Sequence, residues 1–342
     1  MSQSVQPLKP PQESEPAPTG RRSFQASLSR SKLTAILPSL LVVVFIITFR
    51  LISPQFLSIT NFTTLCAQAG PLLLISSGAT FVMLTGGIDL SVAGVATLCS
   101  AVAAIFDARY HFGTLGSVML GVLAGGVTGF ANGLIVTRFR LPSFIVTLGT
   151  MSIATGVMLH LLGGQSLVLT DLSFGNIAIG QLIPNVPNVA IVALITWLLL
   201  VFVRFRTRFG VYTVAIGAGE HVSRLSGVHV SGYKVCAFIL SGVTAGLAGV
   251  MLLAGLGSAT PDAGSQYLLL SIAAIVVGGT SLTGGVGGIH RTIIGVALLT
   301  ILTNGLDVAG ISSFDQEIVQ GIVVIVAVLF TIDRSQLQDM IK

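Results

Sequence analysis

Charge is what this sequence has least of. Lys, Arg, Asp and Glu make up only 8% of the 342 residues, and hydrophobic residues make up 53%, against roughly 25% charged in a soluble domain. So little polar surface cannot keep a chain in water, which places it among polytopic membrane proteins, with one membrane domain as the simplest organisation. The net charge of +5 does not point to nucleic acid, because the positive residues flank apolar segments and are not interleaved with exposed aromatics.

Other shortages exclude chemistry. The three cysteines, Cys66, Cys99 and Cys236, all fall in apolar stretches and are expected to be small buried packing residues, with no disulfide framework and no metal site. The five histidines, His111, His160, His221, His229 and His290, share no ligand-like helical spacing within a span, so no bound metal is expected. No lysine opens the Lys-Ser/Thr end of a phosphate-cradling loop: Lys9, Lys32 and Lys234 precede Pro, Leu and Val, and Lys342 closes the sequence. The chain is therefore expected to bind no cofactor and to be no enzyme; if nucleotide powers it, another subunit binds that nucleotide.

What the sequence has is apolar spans. Residues 1–32, rich in Pro, Ser, Gln and charge, read as a disordered cytoplasmic tail. Residues 33–332 form the membrane domain, and 333–342 a short cytoplasmic tail. About ten spans fit, near 33–49, 63–85, 88–106, 113–136, 142–162, 187–203, 234–256, 266–283, 289–306 and 316–332. Gly86-Gly87 and the SLTGGVGG stretch suggest broken or re-entrant paths at 86–91 and 280–288.

With the amino terminus inside, fifteen of the seventeen Lys and Arg residues fall on the cytoplasmic side, leaving only Arg50 and Arg109 outside, as the positive-inside rule requires. Asp107, Asp171, Asp262, Asp307, Asp315 and Glu317 gather on the outer side. The longest outer loop, 163–186, is too short to form a receptor domain by itself. Glycines at 121, 125, 126, 129 and 133, then at 242, 246 and 249, are spaced for close helix packing.

Candidate functional residues follow from polarity in apolar surroundings. Asp89, in LTGGIDLSVAG, is the one acidic residue set deep in apolar sequence, where an unpaired carboxylate is costly. It either lines a path or, with Ser91, caps the helix after Gly86-Gly87. Asn132 and Asn304, with Gln68, Thr80, Thr85, Thr147 and Thr283, are expected between helices or facing a wet cavity. Asp89, Ser91, Asn132 and Asn304 are the candidates for a translocation path or gate, and such neutral polar groups suit a neutral hydroxylated solute better than an ion.

The basic interval 204–234 is expected to be a cytoplasmic loop that docks a partner. Within it, Gly217 and Gly219 precede a short helix that Glu220 starts and Gly227 ends, with a Glu220–Arg224 pair and an apolar side of Val222 and Leu225. The competing placement lays this helix on anionic membrane lipid.

The motifs GATFVMLTGGIDLSVAG, RTRFGVYTVAIGAGEHVSRLSGV, SIAAIVVGGTSLTGGVGG and ILTNGLDVAGISS resemble the membrane permeases of bacterial ABC importers for ribose, xylose, galactose and related monosaccharides. The resemblance runs from about residue 35 to 332. It implies an all-α, type II ABC-importer-like permease bundle in the inner membrane, paired with a second permease copy or a paralogue. It also implies cytoplasmic ATPase subunits that bind ATP and magnesium, and an extracytoplasmic sugar-binding protein. Gly217, Gly219, Glu220, Arg224, Leu225 and Gly227 would then belong to the coupling helix that meets the ATPase. Where ribose-type permeases often carry Glu-Leu-Asp, this sequence has Leu268-Leu269-Leu270, and Asp315 and Glu317 lie in a stretch that is often aromatic, so pentose specificity is not carried over. An ion-coupled transporter using Asp89, a membrane scaffold or sensor, and an importer of a nucleoside or furanosyl signal are the other readings.

Overall fold

The computed structural model describes residues 37–169 and 172–331. The two expected tails and Asp171 lie outside the described residues. Helices α1 (Leu37–Ile52), α2 (Ile59–Leu84), α3 (Val92–Ala108), α4 (Gly113–Phe139) and α5 (Ser143–Leu162) open the bundle. A short α6 (Asn176–Ile179) precedes α7 (Asn188–Arg206), α8 (Arg208–Ala218) and α9 (Glu220–Leu225). The bundle is completed by α10 (Val230–Leu256), α11 (Tyr267–Val277), α12 (Ile289–Val308) and α13 (Ser313–Thr331). Two two-residue strands pair antiparallel, Leu167 opposite Ala259, and pin the 163–186 connection to the end of α10.

Among the described residues six helices, α2, α4, α5, α7, α10 and α12, are long and apolar enough to cross a bilayer. The chain is a multi-pass membrane protein. Two layers emerge from how these helices are covered. The central apolar windows of α2, α10 and α12 are 72, 67 and 61% buried, whereas those of α4, α5 and α7 are 28, 28 and 17%. The first group forms the core and the second faces outward. Helices stand at each of the ten expected spans, but the eighth is cut short: α11 has 11 residues, about 16 Å of a core roughly 30 Å thick, and residues 278–288 turn through a run of glycines at positive φ.

The packing of α10 on α4 explains one glycine series. A side chain at Gly125 would overlap the carbonyl oxygen of Gly242, and one at Gly242 would overlap that of Gly125. The two backbones are therefore in direct contact, the arrangement that small residues permit where lipid gives helices no hydrophobic reason to associate.

Three expectations change. The interval 204–234 is not a loop but the end of α7, the whole of α8 and α9, and the first turn of α10, because its apolar residues Phe209, Val214 and Ile216 find cover against the bundle. Cys99 is buried, but Cys236 is exposed on the outer face of α10 and Cys66 is half-buried. The 163–186 connection contains a strand and α6.

Candidate functional site

Two features of the bundle bear on function, and they lie at opposite ends of α2. At its carboxyl end, α2 stops at Leu84 and the chain runs irregularly through residues 85–91 before α3 begins. Irregular backbone inside a membrane domain needs internal hydrogen-bond partners, and α5 supplies them. Ser143 Oγ accepts from the amide of Ile88 (2.9 Å), and Thr147 Oγ1 accepts from that of Leu90 (3.0 Å).

Asp89 is buried here and saturated. Its Oδ1 accepts from the Ser91 amide (3.0 Å) and the Ser91 hydroxyl (2.5 Å), and its Oδ2 accepts from Ser241 of α10 (2.7 Å). Asn132 of α4 donates to Ser91 Oγ (2.9 Å) and accepts from Thr150 of α5 (2.6 Å). The polar cluster thus ties the broken segment to three helices. Ser91 occupies the N-cap position of α3 but makes no side-chain cap bond, since its hydroxyl is engaged by Asp89 and Asn132.

Asn304 does not join this cluster. It exchanges two amide hydrogen bonds with Asn61 at the start of α2 (2.9 and 3.0 Å), a clip between α2 and α12 at the other end of the bundle. The sequence-based grouping of four residues therefore separates into three plus one.

The broken segment meets two others. The amide of Gly285 donates to the carbonyl oxygen of Leu84 (3.1 Å). Gly217, near the end of α8, packs so closely that a side chain there would overlap both that oxygen and the Gly285 amide. The three glycine-bearing motifs, about 200 residues apart at their extremes, converge on one backbone junction.

From this junction α9 projects. Its start at Gly219 has φ −177°, ordinary extended backbone, and a side chain there would have room, so glycine is not required at that position. Its end requires glycine: Gly227 has φ +81°, its amide bonds to the Arg224 carbonyl, and the Val228 amide bonds to that of Ser223, the paired bonds of a Schellman stop. Ser223 Oγ donates to the Ala215 carbonyl (3.0 Å) and fastens α9 to α8. Val222 and Leu225 remain 67 and 76% exposed, an apolar face with no cover among the described residues.

Glu220 pairs with Arg224 (2.7 Å), as the four-residue spacing requires, and also with Lys234 of α10 (2.6 Å). The second pair escaped sequence reasoning because fourteen residues and a helix break separate the partners. The Lys234 hydrogen bond, outweighing partial burial and aided by the charges of Lys234 and Arg224, holds the Glu220 carboxyl below its usual value. A depressed folded-state value stabilises above the ordinary glutamate range and is lost as pH falls through it, so these pairs persist at neutral pH and break in acid. Because the carboxylate is partly exposed, their worth is about 0.2–1 kcal/mol each. Glu220→Gln should accordingly move the thermal unfolding midpoint of the purified protein little, and less at pH 4 than at pH 7.

The second feature is a cleft of about 630 Å³ between the amino-terminal halves of α2, α11 and α13 and the carboxyl-terminal half of α12. Its walls carry Gln68, Tyr267, Thr300, Thr303, Gln316 and Gln320 with apolar Leu72, Leu270 and Leu299; Asp307 and Glu317 also line it. Gln316 donates to Asp307 (2.7 Å). Amides and hydroxyls over an apolar floor suit a small neutral hydroxylated solute, and the volume is that of a small-molecule site. Of the neutral polar residues here only Gln68 stood out in the sequence, while Asp307 and Glu317 stood out only as outer-side acidic residues. The signal for the rest was present as helical spacing: Thr300, Thr303 and Asp307 lie at i, i+3 and i+7, and Gln316 and Gln320 at i and i+4. Among the described residues, no group of His, Cys, Asp and Glu is placed to hold a metal ion.

Comparison with known proteins agrees with the motif resemblance. The ribose import permease protein RbsC of Bacillus subtilis is 38% identical over 300 residues, covering 87% of this chain and 92% of that protein. RbsC of Escherichia coli K12 is 37% identical over 316 residues, 91% of this chain and 96% of the relative. The D-allose transport system permease protein AlsC of the same organism is 35% identical over 289 residues, 84% of this chain and 88% of the relative. No solved structure matches the chain. Residues 61–328 match the family described as branched-chain amino acid transport system / permease component. That match runs from the first turn of α2 into the last turn of α13, and the chain belongs to this family, with ribose and D-allose permeases among its relatives.

Proposed function

We propose that this chain is the membrane subunit of an ATP-driven, binding-protein-dependent importer that carries a monosaccharide inward by alternating access. The observation that carries the reading is the placement of the polar cleft and the glycine junction at opposite ends of α2, with α9 projecting from the junction. In a ten-crossing topology with both termini inside, the cleft opens to the outer side, where a sugar-binding protein would deliver its cargo. The junction and α9 then face the cytoplasm.

In this reading the exposed Val222 and Leu225 seat in a groove of the ATPase, which holds the ATP and magnesium, and two permease copies or paralogues complete the complex. A shift of α9 reaches Leu84 and Gly285 through Gly217, because the three backbones touch with no side chain between them to absorb the movement. Asp89, with its three hydrogen bonds, braces the broken segment against α10 in place of carrying an ion. The cleft's amides, hydroxyls and two carboxylates offer hydrogen-bond partners to hydroxyl groups, which favours ribose-, allose- or fructose-like cargo.

The test is uptake by liposomes containing the permease and its ATPase, with the binding protein outside and labelled ribose, allose and fructose offered in turn. At least one sugar should accumulate only when ATP is inside, and collapse of proton and sodium gradients should leave that uptake unchanged. Accumulation without the ATPase, or uptake that follows an ion gradient, would overturn the proposal.

A further inference from the structure

We propose that the inner ends of α4 and α10, together with α9, form a binding site for the headgroup of an anionic phospholipid. A pocket of about 400 Å³ lies there, lined among others by Arg138, Arg140, Leu141, Glu220, Arg224 and Lys234. Four of these groups are cations and one is a carboxylate. The two carboxylate oxygens of Glu220 are already taken by Arg224 and Lys234. Arg138 and Arg140 make no ion pair among the described residues, which leaves the pocket with a surplus of positive charge and donors for a phosphate.

Arg140 adds an independent observation. It ends α4 with φ 54° and ψ 36°, a left-handed conformation, which costs a side-chain-bearing residue energy and is usually given to glycine at this position. Backbone strain of this kind is retained where a residue is used, and Arg140 lines the pocket. The residues on either side, Phe139 and Leu141, are 67 and 45% exposed. Cations at the mouth of a pocket with bare apolar groups beside them match the boundary between headgroups and acyl chains, where basic pockets between membrane helices take anionic lipids.

The lipid is favoured over the ATPase as occupant because the pocket sits at the last turn of one long apolar helix and the first turn of another. The uncovered face of α9, Val222 and Leu225, is a separate surface. The site rests on the inward placement of this end under the proposed function, since anionic lipid populates the cytoplasmic leaflet. Through Lys234 and Glu220, a bound headgroup would anchor α9 to the bilayer.

The full-length protein, purified in detergent and mixed with phosphatidylglycerol or phosphatidylcholine, should retain the first in preference to the second by native mass spectrometry. Each cation beside a headgroup contributes about fivefold in binding. Arg138→Gln with Arg140→Gln should therefore weaken phosphatidylglycerol retention by roughly 25-fold, to the phosphatidylcholine level. Arg206→Gln with Arg208→Gln, which removes the same charge outside the pocket, should leave it unchanged. Equal retention of the two lipids by the wild-type protein, equal losses in both double variants, or displacement of the lipid by inorganic phosphate would each overturn the site. The readout needs no transport, so a complex that moves no sugar yet keeps its arginine-dependent lipid would overturn the proposed function and leave this site standing.

Discussion

Gly217→Val is expected to lower ATP-driven sugar uptake by roughly ten- to a hundredfold while the protein still folds and inserts. The valine side chain would occupy the space of the Leu84 carbonyl oxygen and the Gly285 amide, which are themselves hydrogen-bonded at 3.1 Å. Forcing apart packed groups costs about 1–3 kcal/mol, and a change of that size in the equilibrium between two arrangements of the junction is worth about ten- to a hundredfold. The contact is backbone against backbone, so no rotamer change can relieve it. The measurement is uptake and ATP hydrolysis by the same liposomes: hydrolysis should continue while transport falls. Uptake at the wild-type rate would show that the junction does not transmit anything. Gly219→Ala, two residues further on, should be nearly silent, because a side chain there meets nothing closer than 3.7 Å.

Gly125→Val should be more damaging to the fold than any change at the junction. The added side chain would overlap the Gly242 carbonyl oxygen and crowd the Gly246 Cα at 3.0 Å, prying α4 from the buried helix α10. Because close approach is what holds membrane helices together, the loss is expected to exceed about 3 kcal/mol. It would be read as a fall in thermal stability in detergent and as a loss of protein recovered from membranes. Gly255→Ala, where a side chain meets nothing within 4 Å, is the control and should unfold with the wild type. A Gly125 variant with unchanged stability would mean that α4 and α10 are not in backbone contact.

The sequence made the membrane class, the helix positions and the glycine packing of α4 on α10 legible because each is a local signal: hydropathy over about 20 residues, or small residues four apart. It also made α9 legible, since its charge pair and its glycine stop are both defined within eight residues. The convergence of Leu84, Gly217 and Gly285 was not legible. Each motif could be seen singly, but contact between segments so distant in the chain is set by tertiary packing. Asn304 was grouped with Asp89 on polarity alone, and polarity does not say at which end of a helix a residue sits relative to another helix. The cleft was missed for a related reason: its walls come from half of each of four helices, and no single helix is polar enough to announce it. Leu270, one of the two positions at which ribose-type permeases often carry an acidic residue, lines this cleft, so half of that sequence difference falls in its wall.

Helix α2 carries Pro71 in its interior, three residues from Gln68 in the cleft wall. A proline removes one helical hydrogen bond and weakens resistance to bending at that level. Leu84 stands thirteen residues beyond Pro71, about 20 Å along the helix, so a tilt of about 10° at the proline displaces the far end by about 3.5 Å. That displacement exceeds the 3.1 Å length of the Gly285–Leu84 hydrogen bond. Under the proposed function, a pivot beside the cleft and a lever arm ending at the junction would let a small angular change at one end of α2 make or break a backbone contact at the other.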